Sequence, residues 1–436
     1  MKFDVLYLWF LGEPAAPVFV GTLRLVHAGK GVSLRYGAQW LRTGFALSED
    51  LPLVDIEHMP PGRLAAGGAM AVGAVDDARP DRWGERVIQY IDRPKRLSLM
   101  EYLYFAGDDR FGALGVSTSQ TEYLPRRGGP LPRLGQVQAV SEVVAKVAAA
   151  EPITDIEKRV LASGGSFGGA KPKALIEIDG QQWVVKFSNG EPVDAPLIEH
   201  ATMTLAAKAG ITVAVTRALQ LIGQHALAVR RFDRADGRRI HSISAGTALR
   251  AAAAAGQEPD LSYPALAQLL RRAGVAEDGA NAADAVELFR RMVFNILVDN
   301  TDDHEKNHAL LVVSPRANGR FRLAPAYDVL PSNSGQGFQE FACGDMGHDS
   351  TLANAMSRCT AFGLTPQEAA AQVAAVIAVV DTWRQHFAAC GVGASDIEQL
   401  ADRIDGEELL GQRRRFDPTS YSSTPVRRGR RGPFAH

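Results

Sequence analysis

Short apolar runs broken by glycine and proline fill the first part of the chain, and longer helical periods fill the last. Residues 5–11, 18–26 and 32–36 read as β-strands separated by Gly/Pro or Gly/Lys turns. Asp81-Arg82-Trp83-Gly84-Glu85 predicts a helix start, and residues 112–117 a returning strand. Three prolines and two glycines within residues 124–133 mark the best linker.

Beyond it, residues 137–149 have helical composition, and Thr154-Asp155-Ile156-Glu157 is a capping box opening a second helix. A glycine-rich turn at 164–169 precedes two apolar runs, 174–178 and 183–187, joined by Asp179-Gly180, a hairpin signal. Asp194 and Pro196 open a helix closed by Gly210, and 213–221 and 226–232 predict two further strands. From about residue 260 the periods are helical: 263–273, then 283–299 with Val286, Phe289, Val293 and Leu297 on one face, then 365–389 opened by Thr365-Pro366-Gln367-Glu368. An extended pair, 309–313 and 321–323, is joined by a turn containing Asn318-Gly319. The predicted class is α+β: two lobes around a cleft, with an additional β-rich N-terminal subdomain and a mostly helical C-terminal lobe. The boundaries are 1–133 for the N-terminal subdomain, 134–235 for the N-lobe, 236–411 for the C-lobe and 412–436 for a disordered tail.

Composition narrows the class little. At 436 residues the chain can bury a sizeable core, and a net charge of −1 offers no global attraction to nucleic acid or anionic membrane. Cys343, Cys359 and Cys390 form no CxxC pair, which fits a reducing cytoplasm. The N-terminus reads as a strand start rather than a signal peptide, and no apolar run reaches membrane-spanning length. The tail carries seven arginines against one aspartate, a solvated arm or one that touches DNA phosphates.

The chemistry concentrates in Asn300-Thr301-Asp302-Asp303-His304-Glu305-Lys306-Asn307 and in Tyr327-Asp328-Val329. An Asp followed five positions later by an Asn, with another Asp downstream between apolar residues, is the arrangement of protein-kinase catalytic centres. There the first Asp accepts the substrate hydroxyl proton, and the Asn and last Asp hold Mg²⁺ against the ATP phosphates. Asn and Asp are also ordinary loop residues. His304 and His308 have the spacing of two zinc ligands, but no Cys or HExxH completes a site. The glycine-rich Ser163-Gly164-Gly165-Ser166-Phe167-Gly168-Gly169-Ala170 can present backbone N–H groups to an anion, although it is neither a Walker A nor a GxGxxG sequence. Lys186, at the end of a predicted strand, is placed like the phosphate-binding lysine of kinases, with Glu199 as its helix partner. Each feature alone is ordinary; their order along the chain is that of a kinase.

The chain resembles the HipA family of bacterial toxin kinases, the toxin half of HipA–HipB modules. The residues that carry the likeness are Gly168-Gly169-Ala170-Lys171-Pro172-Lys173, Val185-Lys186-Phe187, Arg231-Phe232-Asp233-Arg234, the Thr301–Asn307 run and Ala326-Tyr327-Asp328-Val329, with Asp109-Arg110-Phe111 and the following strand nearer the N-terminus. The resemblance implies a Mg²⁺- and ATP-dependent serine/threonine protein kinase that acts on an aminoacyl-tRNA synthetase, with a HipB-like helix-turn-helix antitoxin as partner and operator DNA bound through it. By position it makes Asp302 the base, Asn307 and Asp328 the metal ligands, and Lys186 the phosphate lysine. It places Ser166 to Ala170, Lys173, Glu199 and Lys306 on the nucleotide side, and gives Arg230 and Phe232 hinge contacts to adenine, with His304 and Tyr327 flanking the nucleotide. Ser166, with Ser163 as the alternative, aligns with a loop serine whose autophosphorylation would repel ATP phosphates. Asp303 replaces a small residue and adds charge near the metal site; Arg230 stands where the best-known branch has an acid. A kinase of a small molecule or lipid head group, and a silent kinase fold serving as corepressor, remain as alternatives.

Overall fold

The computed structural model describes residues 2–60, 70–126, 129–162, 171–254, 257–314, 316, 320–332 and 334–421. Ser163, Ser166, Phe167, Gly168, Gly169 and Ala170, the Asn318-Gly319 turn and the tail from 422 lie outside these residues.

The N-terminal subdomain is a sheet of β1 (Val5–Phe10), β2 (Val18–Val26), β3 (Gly31–Tyr36), β4 (Glu57–His58), β5 (Met70–Ala71) and β6 (Leu114–Ser117), in the order β4-β3-β2-β1-β6 with β5 parallel to β3. Leu6, Leu8, Leu23 and Leu34 alternate inward and are fully buried. The strand predicted from 112 starts at Leu114, because Gly112 takes a left-handed φ of +78° and leaves no room for a side chain beside Ser242. Asp81 stands at the N-cap position of the helix Arg82–Ile91 without a side-chain capping bond, and Ser98 with Glu101 forms a capping box on Leu99–Phe105.

The second sheet is antiparallel: β7 (Lys173–Ile178), β8 (Gln181–Phe187), β9 (Thr216–Leu221) and β10 (Gln224–Arg230), ordered β7-β8-β10-β9. The Asp179-Gly180 turn has both φ values positive, +53° and +73°, as a type I′ hairpin requires. Along β10, Ala226 and Ala228 face a core with Val140 and Val144 of the helix Val137–Ala148, while Leu227 and Val229 face one with Leu197 and Ile198 of the helix Ala195–Lys208. The sheet is therefore sandwiched between two helices. The end of the predicted linker lies along it: Glu177 N donates to Pro132 O at 2.8 Å.

A short hairpin, β11 (Arg234–Ala235) and β12 (Arg238–Arg239), leads to β13 (Ser242–Ser244), β14 (Ala309–Val312) and β15 (Phe321–Leu323), which form a three-stranded sheet. The rest is helical. In its second half the helix Ala280–Leu297 is buried beyond the expected face of Phe289, Val293 and Leu297: Leu288, Met292, Phe294 and Ile296 are fully buried as well. It forms the centre of the lobe and ends two residues before the expected Asp299, which turns left-handed at φ +58°. The single helix expected over 365–389 is two, Pro366–Val380 and Trp383–Ala389. The expected disordered tail is corrected in its first part. Residues 412–415 complete the helix Glu407–Arg415, and Arg413 is buried, bonded to Asp381 at 2.8 Å and Asp405 at 2.9 Å. No helix among the described residues is long and apolar enough to cross a membrane.

Candidate active site

Register places two lysines side by side. Lys173 and Lys186 are paired across β7 and β8, and both are buried. Lys186 Nζ lies 2.6 Å from Glu199 Oε1 and 2.7 Å from Asp328 Oδ1, so the predicted strand lysine, helix glutamate and downstream aspartate meet at one ammonium group. Burial alone would lower the Lys186 pKa, but the Asp328 and Glu199 carboxylates outweigh it and hold the amine well above its ordinary range. Burial would likewise raise Asp328; Lys186 and then Lys173 pull it far below. Glu199 is pushed up by burial, only partly offset by Lys186. Lys173 is in no ion pair among the described residues, and burial, with Lys186 beside it, lowers its pKa to about 8. A buried cation without a carboxylate of its own is a ready partner for an anion.

The facing wall is the loop after the helix Ala280–Leu297. Ser332 Oγ accepts from the backbone N–H of Thr301 at 2.8 Å and of Asp302 at 3.2 Å, fixing the loop entrance. Asn307 Nδ2 donates to Asp302 O at 3.2 Å, and Lys306 N to His304 Nδ1 at the same distance. Tyr327 Oη donates to Lys306 O at 2.7 Å, joining this loop to the segment that carries Asp328. That segment is held in turn by Ala214 N to Ala326 O at 2.9 Å and Ala326 N to Thr212 O at 2.8 Å, beside the C-terminal end of the Glu199 helix. Asp302 is exposed, its carboxylate open to a substrate. Asp328 sits at φ +59°, a conformation that costs an L-residue on the order of 1 kcal/mol and gathers at functional sites.

Asp303 corrects an expectation. Its carboxylate is not an exposed acid beside Asp302 but is buried behind the loop, accepting from His308 Nε2 at 2.8 Å and from Tyr263 Oη. His308 Nε2 is thereby committed to Asp303. Among the described residues no three His, Cys, Asp or Glu side chains converge on a point. The oxygen donors of Asn307 and Asp328 suit a hard cation that keeps water and phosphate oxygens in its shell, as Mg²⁺ does.

At the hinge, Phe232 lies 5.5 Å from the Tyr327 ring and 5.6 Å from Phe111 of the N-terminal subdomain. Arg230 ends β10 with an exposed side chain, its N–H committed to Val215 O at 2.8 Å. Sequence reasoning overlooked what holds this row. Buried Asp233 accepts a bidentate pair from Arg231 at 2.9 and 2.7 Å, one bond from Arg234 at 2.8 Å and one from Gly112 N at 2.8 Å. Arg231 also donates to the carbonyls of Asp109 and Arg110 at 2.9 Å. The charge alternation in Arg231-Phe232-Asp233-Arg234 is the signal that marks this latch.

The site therefore unites Lys173, Lys186, Glu199 and Asp328 on one side with Asp302, His304, Lys306, Asn307 and Tyr327 on the other, and Phe232 at the edge. It offers two buried cations for phosphates, oxygen ligands for a divalent cation and an open carboxylate for a proton.

Residues 165–383 match the model of the HipA-like C-terminal domain. Two candidate kinases of Sinorhizobium fredii (strain NBRC 101917 / NGR234) are similar: Y4dM, 32% identical over 165 residues (35% of this chain, 37% of that protein), and Y4mE, 28% identical over 248 residues (51% and 55%). The chain thus spans between about a third and just over half of the length of these curated relatives. Among solved structures, HipA of Shewanella oneidensis MR-1, crystallised with HipB and operator DNA, superposes with a TM-score of 0.63 at 18% identity, covering 94% of this chain and 97% of that one. That likeness establishes the α+β, kinase-like fold.

Proposed function

Because the chain belongs to the HipA-like family, we propose that it is a Mg²⁺- and ATP-dependent serine/threonine protein kinase that acts as the toxin of a toxin–antitoxin pair. The observation that carries this reading is the meeting of Lys186, Glu199 and Asp328, at 2.6 and 2.7 Å, with Asp302 exposed on the loop that Tyr327 ties to the Asp328 segment. Phosphoryl transfer asks the protein mainly for positioning and charge neutralisation, and this cleft supplies both. Mg²⁺ supplies charge neutralisation at the β- and γ-phosphates, and Asn307 and Asp328 would hold it. Lys186 and Lys173 would bind phosphate oxygens, with Glu199 orienting Lys186. Asp302 would accept the proton of the attacking hydroxyl. Phe232 and Tyr327 would border the nucleotide with His304 and Lys306, and the backbone at Arg230 and Phe232 would meet adenine. Ser166 is the proposed autophosphorylation site.

HipB accompanies HipA in the Shewanella complex, which supports a helix-turn-helix antitoxin as the partner here and operator DNA through it. The proposed substrate is a component of translation such as an aminoacyl-tRNA synthetase, in the cytoplasm. Incubating purified protein with Mg-ATP and bacterial lysate, then mapping new phosphosites by mass spectrometry, tests the reading. Phosphoserine or phosphothreonine on protein is expected. Phosphate on a metabolite alone would replace the protein kinase with a small-molecule kinase. No ATP binding beside intact operator binding with a partner would leave the corepressor.

A further inference from the structure

Asp302 and Asn307 are five residues apart, and so are their immediate neighbours Asp303 and His308. Of the outer pair, Asp302 is exposed and Asn307 is buried. The inner pair is buried and joined by the 2.8 Å bond from His308 Nε2 to Asp303 Oδ2, which closes the loop from behind. This closure is anchored on three sides. Tyr263, fully buried at the start of the helix Tyr263–Ala273, donates to the same carboxylate oxygen and accepts from Asn295 Nδ2 at 3.0 Å. Asn295 in turn accepts from Asn300 Nδ2 at 3.1 Å, tying the loop entrance to the central helix. On the third side the Phe341 ring stacks on His308 with centroids 5.4 Å apart, and Phe341 N donates to Asp303 O at 3.0 Å.

We propose that Asp303 and His308 are positioning residues: a buried clasp that fixes the spacing and orientation of Asp302 and Asn307 without touching substrate or metal. The physical requirement is plain. An exposed loop residue such as Asp302 has several accessible backbone conformations, and tethers to the interior select one. Among the described residues the Asp302 carboxylate makes no hydrogen bond, and its backbone is held by Ser332 Oγ and Asn307 Nδ2, so the buried side chain next to it adds an anchor that reaches the lobe core. Among the described residues Asn307 is bonded through Asp302 O and His304 O, both within the loop. The clasp is the side-chain link from Asp303 and His308 to the helices Tyr263–Ala273 and Ala280–Leu297, and it acts beside the backbone bonds of Glu340 N to Thr301 O, Gly246 N to Glu305 O and Ala245 N to His308 O.

The inference rests on the roles given above to Asp302 and Asn307, and two readouts keep the two claims apart. Hydrogen–deuterium exchange over residues 299–308 reports the clasp whether or not the protein transfers phosphate. Asp303→Ala is expected to speed exchange there by about tenfold or more, with protection of the helix Ala280–Leu297 unchanged. In Mg-ATP turnover the same variant is expected to lose about 10- to 100-fold in kcat, as a displacement of about 1 Å does, with KM for ATP within about twofold because the phosphate lysines lie on the other wall. Asp303→Asn keeps an acceptor oxygen and is expected to recover most of the loss. Should Asp303→Ala fail to fold, the double variant Asp303→Ala/His308→Phe replaces the pair with apolar groups; His308 borders a cavity of about 10 Å³ that gives the larger ring some slack. A folded double variant with wild-type exchange over 299–308 and wild-type kcat overturns the clasp, as does a loss confined to KM. If the wild-type protein transfers no phosphate, the kinase reading falls and the exchange result alone decides the clasp.

Discussion

Replacing Lys186 with methionine isolates the charge balance of the cleft. Lys186→Met leaves Glu199, whose side chain is 3% exposed, without its cation, whereas Asp328, at 35%, can turn to water. The buried carboxylate has two options: to stay charged and unpaired, or to take up a proton. Removing one partner of a buried pair costs about 3–5 kcal/mol. Protonating a carboxyl of ordinary pKa near pH 7 costs about 1.4 kcal/mol for each unit between the two, roughly 3–4 kcal/mol, so the second option caps the penalty at about that value. The sign with pH follows. In the variant the folded-state pKa of Glu199 lies above its unfolded value, so the penalty grows as pH rises above the unfolded pKa and fades as pH falls toward it. Urea unfolding of wild type and Lys186→Met at about pH 7 and about pH 5.5 should therefore show a deficit of roughly 3 kcal/mol that shrinks by about 2 kcal/mol in acid. Lys186→Met/Glu199→Gln should recover most of the loss at neutral pH. A single variant within about 1 kcal/mol of wild type, or a double variant no more stable than the single, refutes the reasoning.

Three further outcomes follow from the same geometry. Buried His241 donates to Leu47 O at 2.9 Å across the junction with the N-terminal subdomain, and burial lowers its pKa from 6.5 to about 4. The unfolded state then binds the proton first, so up to about 3 kcal/mol of stability is lost as pH falls from 6.5 toward 4; His241→Gln should lose that much less over the range, and equal losses in the two proteins contradict it. With its pKa near 8, Lys173 loses charge in mild alkali, so the KM for Mg-ATP should rise above about pH 8 in wild type and stay flat in Lys173→Arg; a flat wild-type profile removes Lys173 from the phosphate site. Asp233→Asn strands the buried guanidinium groups of Arg231 and Arg234 and should cost about 3–5 kcal/mol in denaturant unfolding, a loss below about 1 kcal/mol showing that the hinge latch is dispensable.

Local signals made much of this molecule legible before its structure was known. The Asp179-Gly180 dipeptide placed a hairpin because only residues that tolerate positive φ close a type I′ turn, and that hairpin sets Lys173 beside Lys186. Asp194 and Gly210 bracketed the helix that brings Glu199 to the same point. Burial and long-range contact were less visible. Asp303 reads as a second exposed acid next to Asp302, and nothing local says that Tyr263, some forty residues earlier, supplies its hydroxyl donor. Phe111 and the Asp233 latch depend on a docking between subdomains more than a hundred residues apart. Alanine-rich 366–389 reads as one continuous helix because propensity does not register the break at Asp381-Thr382, where Asp381 bonds Arg413.

The central claim is that Asp302 is the base of a phosphoryl-transfer site whose nucleotide is held by other residues. Asp302→Asn keeps the side-chain size and removes only the capacity to accept a proton in its charged form. Mg-ATP affinity by calorimetry and label transfer to lysate protein, measured on the same preparations of wild type and Asp302→Asn, test it together. The account predicts a Kd for Mg-ATP within about threefold of wild type and transfer reduced by about 10²–10⁴-fold. Undiminished transfer from Asp302→Asn contradicts it.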